Sequence, residues 1–287
     1  MNFDGFLDLS TFESAKSEGL ADFVQAEEVG FGIVKRTLAV KTADDAKRTG
    51  KPIGKYLTYD CTDDVYSSLR AAKGIETMLT ATIKGEIGLL AKGSAVLVVG
   101  LGNGKISADA LGEKVFERVD VSDANNANCT RKRSVFAVST GVFAKTGVQS
   151  ARIVLALVRE LKPSFVVLVD SLATSSINRV GKSFQLSTAG ITPGKGVGEK
   201  NESISKALLG VPVLSIGVPT LLTLPTTIYG VTKDYLASKD MTIDEYAFRS
   251  LLATRKISDM VVAPKNIDVL VEGAATIISN ALNLAFA

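Results

Sequence analysis

Four short segments of the chain are almost entirely apolar and do not alternate between apolar and polar residues. Such segments are typical of strands that are buried on both faces of a parallel sheet. They are AVLVVG (95–100), SVFAVS (134–139), SFVVLVD (164–170) and VPVLSIG (211–217). Segments with helical spacing lie between them, at 107–118, 144–161 and 202–209. This alternation predicts an α/β protein with a single doubly wound, mostly parallel sheet and helices on both faces.

The remaining segments add further elements to this plan. The sequence predicts strands at 31–41, 56–60 and 183–189, and helices at 63–91 and 266–287. Residues 1–30 are polar and mixed, and we interpret them as an N-terminal segment that precedes one domain at 31–287. A chain of 287 residues is long enough for that domain to bury a large core.

One stretch, residues 207–232, contains no charge and is long enough to span a bilayer. Pro212, Pro219 and Pro225 argue against one continuous helix, because proline lacks the N–H and clashes with the preceding turn. We instead predict a buried strand at 211–217, a turn at Pro219 and then a helix. The expectation is therefore a protein without a membrane partner.

The charge distribution excludes two classes of partner. The chain has 33 basic and 30 acidic residues, a formal net charge of +3, which is too weak and too scattered to favour nucleic acid. Its first residues carry acids where a signal peptide has a basic start and an apolar run. We therefore expect a cytoplasmic location.

The chain contains no histidine, and this constrains its chemistry more than any other residue count. It excludes the Ser-His-Asp triad, the Cys-His pair and every zinc site that uses imidazole. The two cysteines, Cys61 and Cys129, have no metal-binding or redox spacing. We predict neither a metal nor a cofactor, and any proton chemistry falls to Asp, Glu, Lys or Tyr.

Candidate site residues follow the predicted parallel strands, whose carboxyl ends gather at one edge of such a sheet. Gly102, Asn103 and then Asp109 follow the first strand, Gly141 follows the second, and Asp170 ends the third. Two neighbouring carboxylates cannot both ionise easily, so they share a proton and can serve as general base and general acid. The simpler alternative is that each aspartate caps a helix or turn.

The turn GLGNGK (100–105) resembles a nucleotide-binding loop only superficially. A dinucleotide fingerprint requires a third glycine at position 105, where this chain has Lys105. A Walker A loop requires Ser or Thr after Gly-Lys, where this chain has Ile106. We therefore do not predict a nucleotide site at this turn.

The segment STAGITPGKGVGEKNESIS (187–205) is rich in glycine and is either a plain connection or a substrate-binding loop. Two nearby pairs, Ser203 with Lys206 and Lys182 with Ser183, leave a Ser-Lys hydrolase open as an alternative.

Taken together, these motifs resemble the germination protease family of spore-forming bacteria. The resemblance includes VLVVGLGN…DALG (96–112), STGVFAKTG (139–147), KPSFVVLVDSLA…INRV (162–180), FQLSTAGITPGKGVG (184–198) and ISKALLGVPVLSIGVPT (204–220). It covers nearly all of the chain after residue 30. It implies an α/β fold like that of hydrogenase maturation endopeptidases and an endopeptidase that degrades small acid-soluble spore proteins during germination.

The resemblance also implies roles for individual residues. The two catalytic aspartates of the family match Asp109 and Asp170. Substrate-binding positions are expected at Gly102, Asn103, Gly141, Thr146, Arg179, Gly194 and Gly196. The family further implies a forespore location, a homotetramer and a zymogen whose short N-terminal segment is removed.

The chain departs from the family pattern at several positions. Thr192 and Ser175 stand where members usually carry His and Arg, and residues 10–30 contain no good counterpart of the usual self-cleavage segment. These departures leave open a second alternative, a member that binds spore proteins without cleaving them.

Overall fold

The computed structural model describes residues 24–62, 65–88, 90, 93–122, 133–174, 176–194, 202–254, 257 and 260–287. Its strands are β1 Val24–Glu28, β2 Ile33–Val40, β3 Gly54–Cys61, β4 Val96–Leu101, β5 Val135–Gly141, β6 Phe165–Thr174, β7 Ser183–Ser187, β8 Val213–Thr223 and β9 Val261–Val262. Its helices are α1 Ala43–Thr49, α2 Leu69–Ile87, α3 Leu111–Phe116, α4 Phe143–Thr146, α5 Ser150–Leu161, α6 Lys206–Leu209, α7 Leu224–Ala237, α8 Glu245–Thr254 and α9 Ile267–Phe286. Single 3-10 turns lie at Ser107–Asp109 and Ile177–Arg179.

The nine strands form one mixed sheet in the order β1-β2-β3-β7-β8-β6-β4-β5, with β9 paired to β8. Strands β5, β4, β6 and β8 are parallel, and these are the four apolar segments identified in the sequence. The other strands join by antiparallel pairing. The α/β class and the parallel centre are therefore confirmed, whereas the antiparallel half is larger than the sequence predicts.

Helices cover both faces of the parallel centre, because each buried strand offers apolar side chains in both directions. On one face α2, α3 and α9 pack with Val167 and Val169 of β6. On the other face α5 packs with Val166 and Leu168 of the same strand. The doubly wound arrangement predicted for this region is thus observed.

The predicted turn at Pro219 is wrong. Strand β8 continues through this residue to Thr223, and the register with β6 shifts between Leu172 and Ala173. Leu172 lies opposite Pro219 and Ala173 lies opposite Leu221, so Thr220 is the extra residue of a bulge. A bulge tolerates proline, because the local ladder is already interrupted there.

Three predicted helices are shorter or divided. The segment 107–118 is a 3-10 turn followed by α3, and 144–161 is divided into α4 and α5 near Gly147, which has a positive φ of 68°. The segment 202–209 contains only the four-residue α6. At the N-terminus, residues 24–28 of the predicted leading segment form β1 and pair with β2.

Among the described residues, α9 is a single helix that is long and apolar enough to cross a membrane. Its most apolar window is 56% buried inside the protein. It packs along α2 and α3, where Val271, Ala274, Ile278 and Leu282 belong to the core. Packing within the domain therefore accounts for its apolar composition.

The close approach of α3 to the sheet depends on two glycines. A Cβ atom at Gly100 would lie 2.2 Å from the carbonyl oxygen of Gly112. A Cβ atom at Gly112 would lie 2.3 Å from the carbonyl oxygen of Leu101 and 2.6 Å from that of Val169. These neighbours are backbone atoms, so no side-chain rotation relieves the overlap.

We expect Gly112→Ala to lower the free energy of unfolding by about 3 kcal/mol, because α3 would have to move away from β4 and β6. Gly85→Ala is the matched control, since a Cβ there meets nothing within 4 Å. It should raise the free energy of unfolding by about 1 kcal/mol through helix propensity. Urea denaturation of both variants measures the difference, and equal stabilities would show that α3 does not require this close approach.

Candidate active site

The turn after β4 is built around Asp109. Gly102 has a φ of 95°, and a Cβ there would lie 2.3 Å from the carbonyl oxygen and 2.9 Å from the Oδ1 atom of Asp109. The Asn103 N–H donates both to the Asp109 carbonyl, at 3.0 Å, and to its Oδ2 atom, at 2.8 Å. A glycine in the left-handed region is therefore required for the turn to pass directly over the aspartate.

Further contacts fix the backbone on either side of Asp109. The Thr220 hydroxyl, which belongs to the bulge in β8, donates to the Ala108 carbonyl at 2.6 Å in a buried hydrogen bond. The Gly104 N–H donates to the Glu113 carboxylate of α3 at 2.9 Å. The loop that carries Asp109 is thus tied to β8 and to α3, and this limits the positions that its carboxylate can take.

Asp170 lies within a central strand of the sheet rather than in a loop. Strand β6 runs between β4 and β8, and Asp170 pairs with Gly217 of β8. Only 6% of its surface is exposed. The Ser171 N–H donates to its Oδ1 atom at 2.9 Å. The sequence placed this aspartate at the end of the strand, but β6 continues for four residues beyond it, to Thr174.

Burial raises the pKa of the Asp170 carboxyl well above its usual range, and the negative charge of Asp109 raises it further. The hydrogen bond from the Ser171 N–H opposes both effects and is the smallest of the three. The structure thus brings the two predicted aspartates within electrostatic range of each other. A carboxyl that holds its proton beside a second carboxylate can act as a general acid.

The predicted substrate-binding residues near the second strand lie at its carboxyl end. Gly141 has a φ of 62° and pairs with Leu101, the residue before the Asp109 turn. Thr146 is exposed in α4, where its hydroxyl donates to the Val142 and Val148 carbonyls. Gly141 is therefore adjacent to the turn that carries Asp109. The Thr146 hydroxyl instead forms hydrogen bonds with backbone carbonyls of its own segment.

The other predicted residues lie further along the chain. Arg179 is 7% exposed in the 3-10 turn after β6. Gly194 has a φ of 69°, as a tight turn requires. Gly196 lies outside the described residues, as does Ser175.

The Ser-Lys alternative has no support in the geometry. The Ser183 hydroxyl is fully buried and donates to the Asp60 carboxylate at 2.6 Å. The Ser203 hydroxyl reaches only the Ile191 carbonyl, at 3.5 Å. Neither hydroxyl is bonded to the lysine beside it in the sequence, so neither serine is activated as a nucleophile.

No group of three or more His, Cys, Asp or Glu side chains that could hold a metal ion is present among the described residues. A largely apolar cavity of about 270 Å³ lies near the end of β6, lined by Tyr66, Ile177, Val180, Lys182, Leu222, Pro264, Asn266 and Leu270. Neither aspartate lines this cavity.

Thr220 is a positioning residue that the sequence analysis did not identify. The available signal was Pro219 within an otherwise apolar strand, because proline in a central strand marks a bulge. The partner of the Thr220 hydroxyl is 112 positions away in the sequence and follows only from the fold.

These features define an α/β protein whose candidate active site is an aspartate pair, one member buried in the central strand and the other held by a glycine turn. Comparison with known proteins adds the family. The family model described as "Germination protease" matches residues 10–256. The chain belongs to the germination protease family.

Germination proteases from other bacteria are similar in sequence to most of this chain. The germination protease of Caldanaerobacter subterraneus subsp. tengcongensis is 35% identical over 270 residues, which cover 86% of this chain and 83% of that protein. The germination protease of Clostridium tetani is 30% identical and covers 94% of this chain and 90% of its own. Both proteins are thus similar over nearly their full length.

Among solved structures, the [NiFe] hydrogenase maturation protease HycI from Thermococcus kodakarensis matches 70% of this chain and 98% of its own. The two are 15% identical, with a TM-score of 0.36.

The raised pKa of Asp170 has a consequence for stability. A carboxyl whose pKa is higher in the folded protein than in the unfolded chain favours folding only while it is protonated. That contribution is complete below about pH 4, the pKa of an unfolded aspartate, and is lost as pH rises through the folded pKa.

We expect Asp170→Asn to raise the free energy of unfolding at pH 8, because the neutral amide leaves no buried charge at a pH where the carboxyl begins to ionise. The gain should shrink as pH falls toward 4. Urea denaturation of both proteins at several pH values measures it. A gain that is independent of pH, or a loss at pH 8, would contradict the raised pKa.

Proposed function

We propose that this chain is an endopeptidase that cleaves small acid-soluble spore proteins during germination, with Asp109 and Asp170 as the groups that activate water. Membership of the germination protease family supports the peptidase activity and the spore context. The single observation that carries the mechanism is the burial of Asp170, with its raised pKa, beside the charge of Asp109.

In this mechanism the two aspartates hold one proton between them. The Asp109 carboxylate, which is less buried, removes a proton from water as the water oxygen attacks the scissile carbonyl carbon. Protonated Asp170 donates its proton to the carbonyl oxygen. Asp109 then donates its proton to the leaving amine while Asp170 regains its own as the C–N bond breaks, so the enzyme ends as it began.

The backbone around the pair is suited to orienting a peptide. Asn103 lies on the Asp109 turn, and Gly141 ends the neighbouring strand beside it. The segment from residue 189 to Gly194 leads into the glycine-rich loop, which we assign to substrate binding. Oligomerisation as a tetramer, removal of the N-terminal segment and location in the spore core remain predictions from the family.

A member that binds spore proteins without cleaving them is the competing hypothesis. It is motivated by Thr192 and by the absence of histidine from the chain. The aspartate mechanism requires no imidazole, however, because both proton transfers are assigned to carboxyl groups.

The direct test is incubation of the purified protein with a small acid-soluble spore protein, followed by mass spectrometry. We expect defined fragments from the wild type. Asp109→Asn and Asp170→Asn should each lower the cleavage rate by at least about 1000-fold, because each removes a proton-transfer group on which the mechanism depends. Asp234→Asn, on the exposed surface of α7, is the control and should cleave normally.

Two outcomes would contradict the proposal in different ways. Fragments from both aspartate variants at wild-type rates would reject the two-aspartate mechanism. A spore protein that stays bound and intact with the wild type, also after removal of residues 1–23, would favour the non-cleaving hypothesis.

Thr220→Val tests the positioning of Asp109. Loss of the hydrogen bond to the Ala108 carbonyl should loosen the 3-10 turn and lower kcat about tenfold with little change in KM, since the hydroxyl is buried and bonded to the backbone beside Asp109. Thr227→Val is the matched control, because the Thr227 hydroxyl donates to the carbonyl of Thr223, the residue that precedes its own helix. An unchanged kcat for Thr220→Val would show that the tie to β8 does not position Asp109.

A further inference from the structure

Three uncharged polar side chains in the sheet are fully buried and have no hydrogen-bond partner within the described part of the chain. They are the hydroxyls of Thr58 and Ser215 and both amide atoms of Gln185, and each residue has 0% of its surface exposed. Buried polar groups are nearly always paired, because an unpaired donor or acceptor loses its bonds to water without replacement. A cluster of such groups therefore indicates a partner from outside the chain.

Two members of the cluster lie in one row with the catalytic candidate, and Ser215 lies in β8 two positions before that row, opposite Ser187 and Leu168. Thr58 of β3 is directly opposite Gln185 of β7, which is directly opposite Gly217 of β8. Asp170 of β6 is directly opposite the same Gly217. Side chains that face each other across neighbouring strands point to the same face of a sheet, so Gln185 and Asp170 share a face.

The separation between the two positions suits an extended peptide. Two strand spacings place Gln185 about 10 Å from Asp170, and an extended chain advances about 3.3 Å per residue. Gly217 contributes no side chain between them, and the Leu172 side chain occupies that space, within 2.7 Å of where a Cβ would lie. A peptide bond at the aspartates would thus place Gln185 about three residues away.

The chemistry of the cluster selects a neutral partner. The Gln185 amide offers two donors and an acceptor, and the two hydroxyls each donate and accept. The charged groups beside the row compensate each other, since Arg36 forms an ion pair with Asp60. Asp60 also accepts the hydrogen bond from the Ser183 hydroxyl. A carboxamide or hydroxyl satisfies this set without introducing an unpaired charge.

We propose that Gln185, Thr58 and Ser215 form a substrate subsite that binds a carboxamide or hydroxyl side chain located about three residues from the scissile bond. This inference rests on the proposed endopeptidase function. All three residues are fully buried, so the proposal requires the protein to open at this position when the substrate side chain binds.

The test uses peptides that tile a small acid-soluble spore protein, each made with Gln or with the near-isosteric Met at single positions. Binding is measured by fluorescence anisotropy to the Asp170→Asn protein, so that the result does not depend on cleavage. We expect one position at which Met weakens binding about tenfold relative to Gln. Adding Gln185→Met should remove that preference, whereas adding Gln25→Met, on the exposed strand β1, should retain it.

A stability measurement separates recognition from a structural role. Since the Gln185 amide has no partner among the residues that the structure describes, Gln185→Met should leave the Tm unchanged or raise it. A preference for Gln that survives Gln185→Met, or no such preference at any position, would overturn the proposal. So would a Tm lowered by several degrees with unchanged peptide selectivity, which would assign the amide a structural role.

Different outcomes would reject the catalytic mechanism and the substrate subsite. Cleavage by both aspartate variants rejects the catalytic mechanism and leaves the binding assay valid. Normal cleavage together with an unaltered preference in Gln185→Met rejects only the subsite.

Discussion

The backbone contact of α3 with β4 and β6 is the constraint on which the site depends. Gly112 lies against the backbone of Leu101, at the end of β4, and of Val169, one residue before Asp170 in the middle of β6. Because α3 lies so close, the 3-10 turn that precedes it brings Asp109 toward Asp170. A helix held at an ordinary distance by side chains would carry Asp109 away from the buried carboxyl, and the charge interaction that raises its pKa would weaken with distance.

Burial of Asp170 connects the fold to the chemistry. A carboxyl in the middle of a parallel sheet is unfavourable when ionised, so it retains its proton at a pH where an exposed aspartate has lost it. The chain has no histidine, the side chain whose pKa is naturally near neutrality, and the proposed mechanism assigns the proton transfers to this carboxyl and to Asp109 instead. The family supports a peptidase, and the aspartate mechanism is the proposal that the buried carboxyl motivates.

The sequence predicted those parts of the structure that depend on local pattern. The four parallel strands were identified because burial on both faces produces continuous apolar runs, and Asp109 and Asp170 because they follow two of those runs. The extension of β6 past Asp170 could not be predicted, because it arises from pairing between distant strands. Pro219 did signal a bulge, but the hydrogen bond from Thr220 to the Ala108 carbonyl follows only from the fold. Gln185 was missed for the same reason. Nothing near it in sequence indicates that its amide would be buried without a partner in the row that contains Asp170.

Strand β8 connects the parallel and the antiparallel parts of the sheet. It pairs with parallel β6 on one side and with antiparallel β7 on the other, and β9 adds to its end. The two halves of the sheet therefore cannot separate without breaking hydrogen bonds of this one strand, whose first eight residues are all buried. Local opening usually spares the segment with the most partners, so the amide hydrogens of β8 belong to the part of the protein that exchanges last with solvent. Asp170 lies on β6, the parallel neighbour of β8, and pairs directly with Gly217 of that strand. The buried carboxyl is therefore anchored to the strand that joins the two halves of the sheet, whereas Asp109 belongs to a turn outside it.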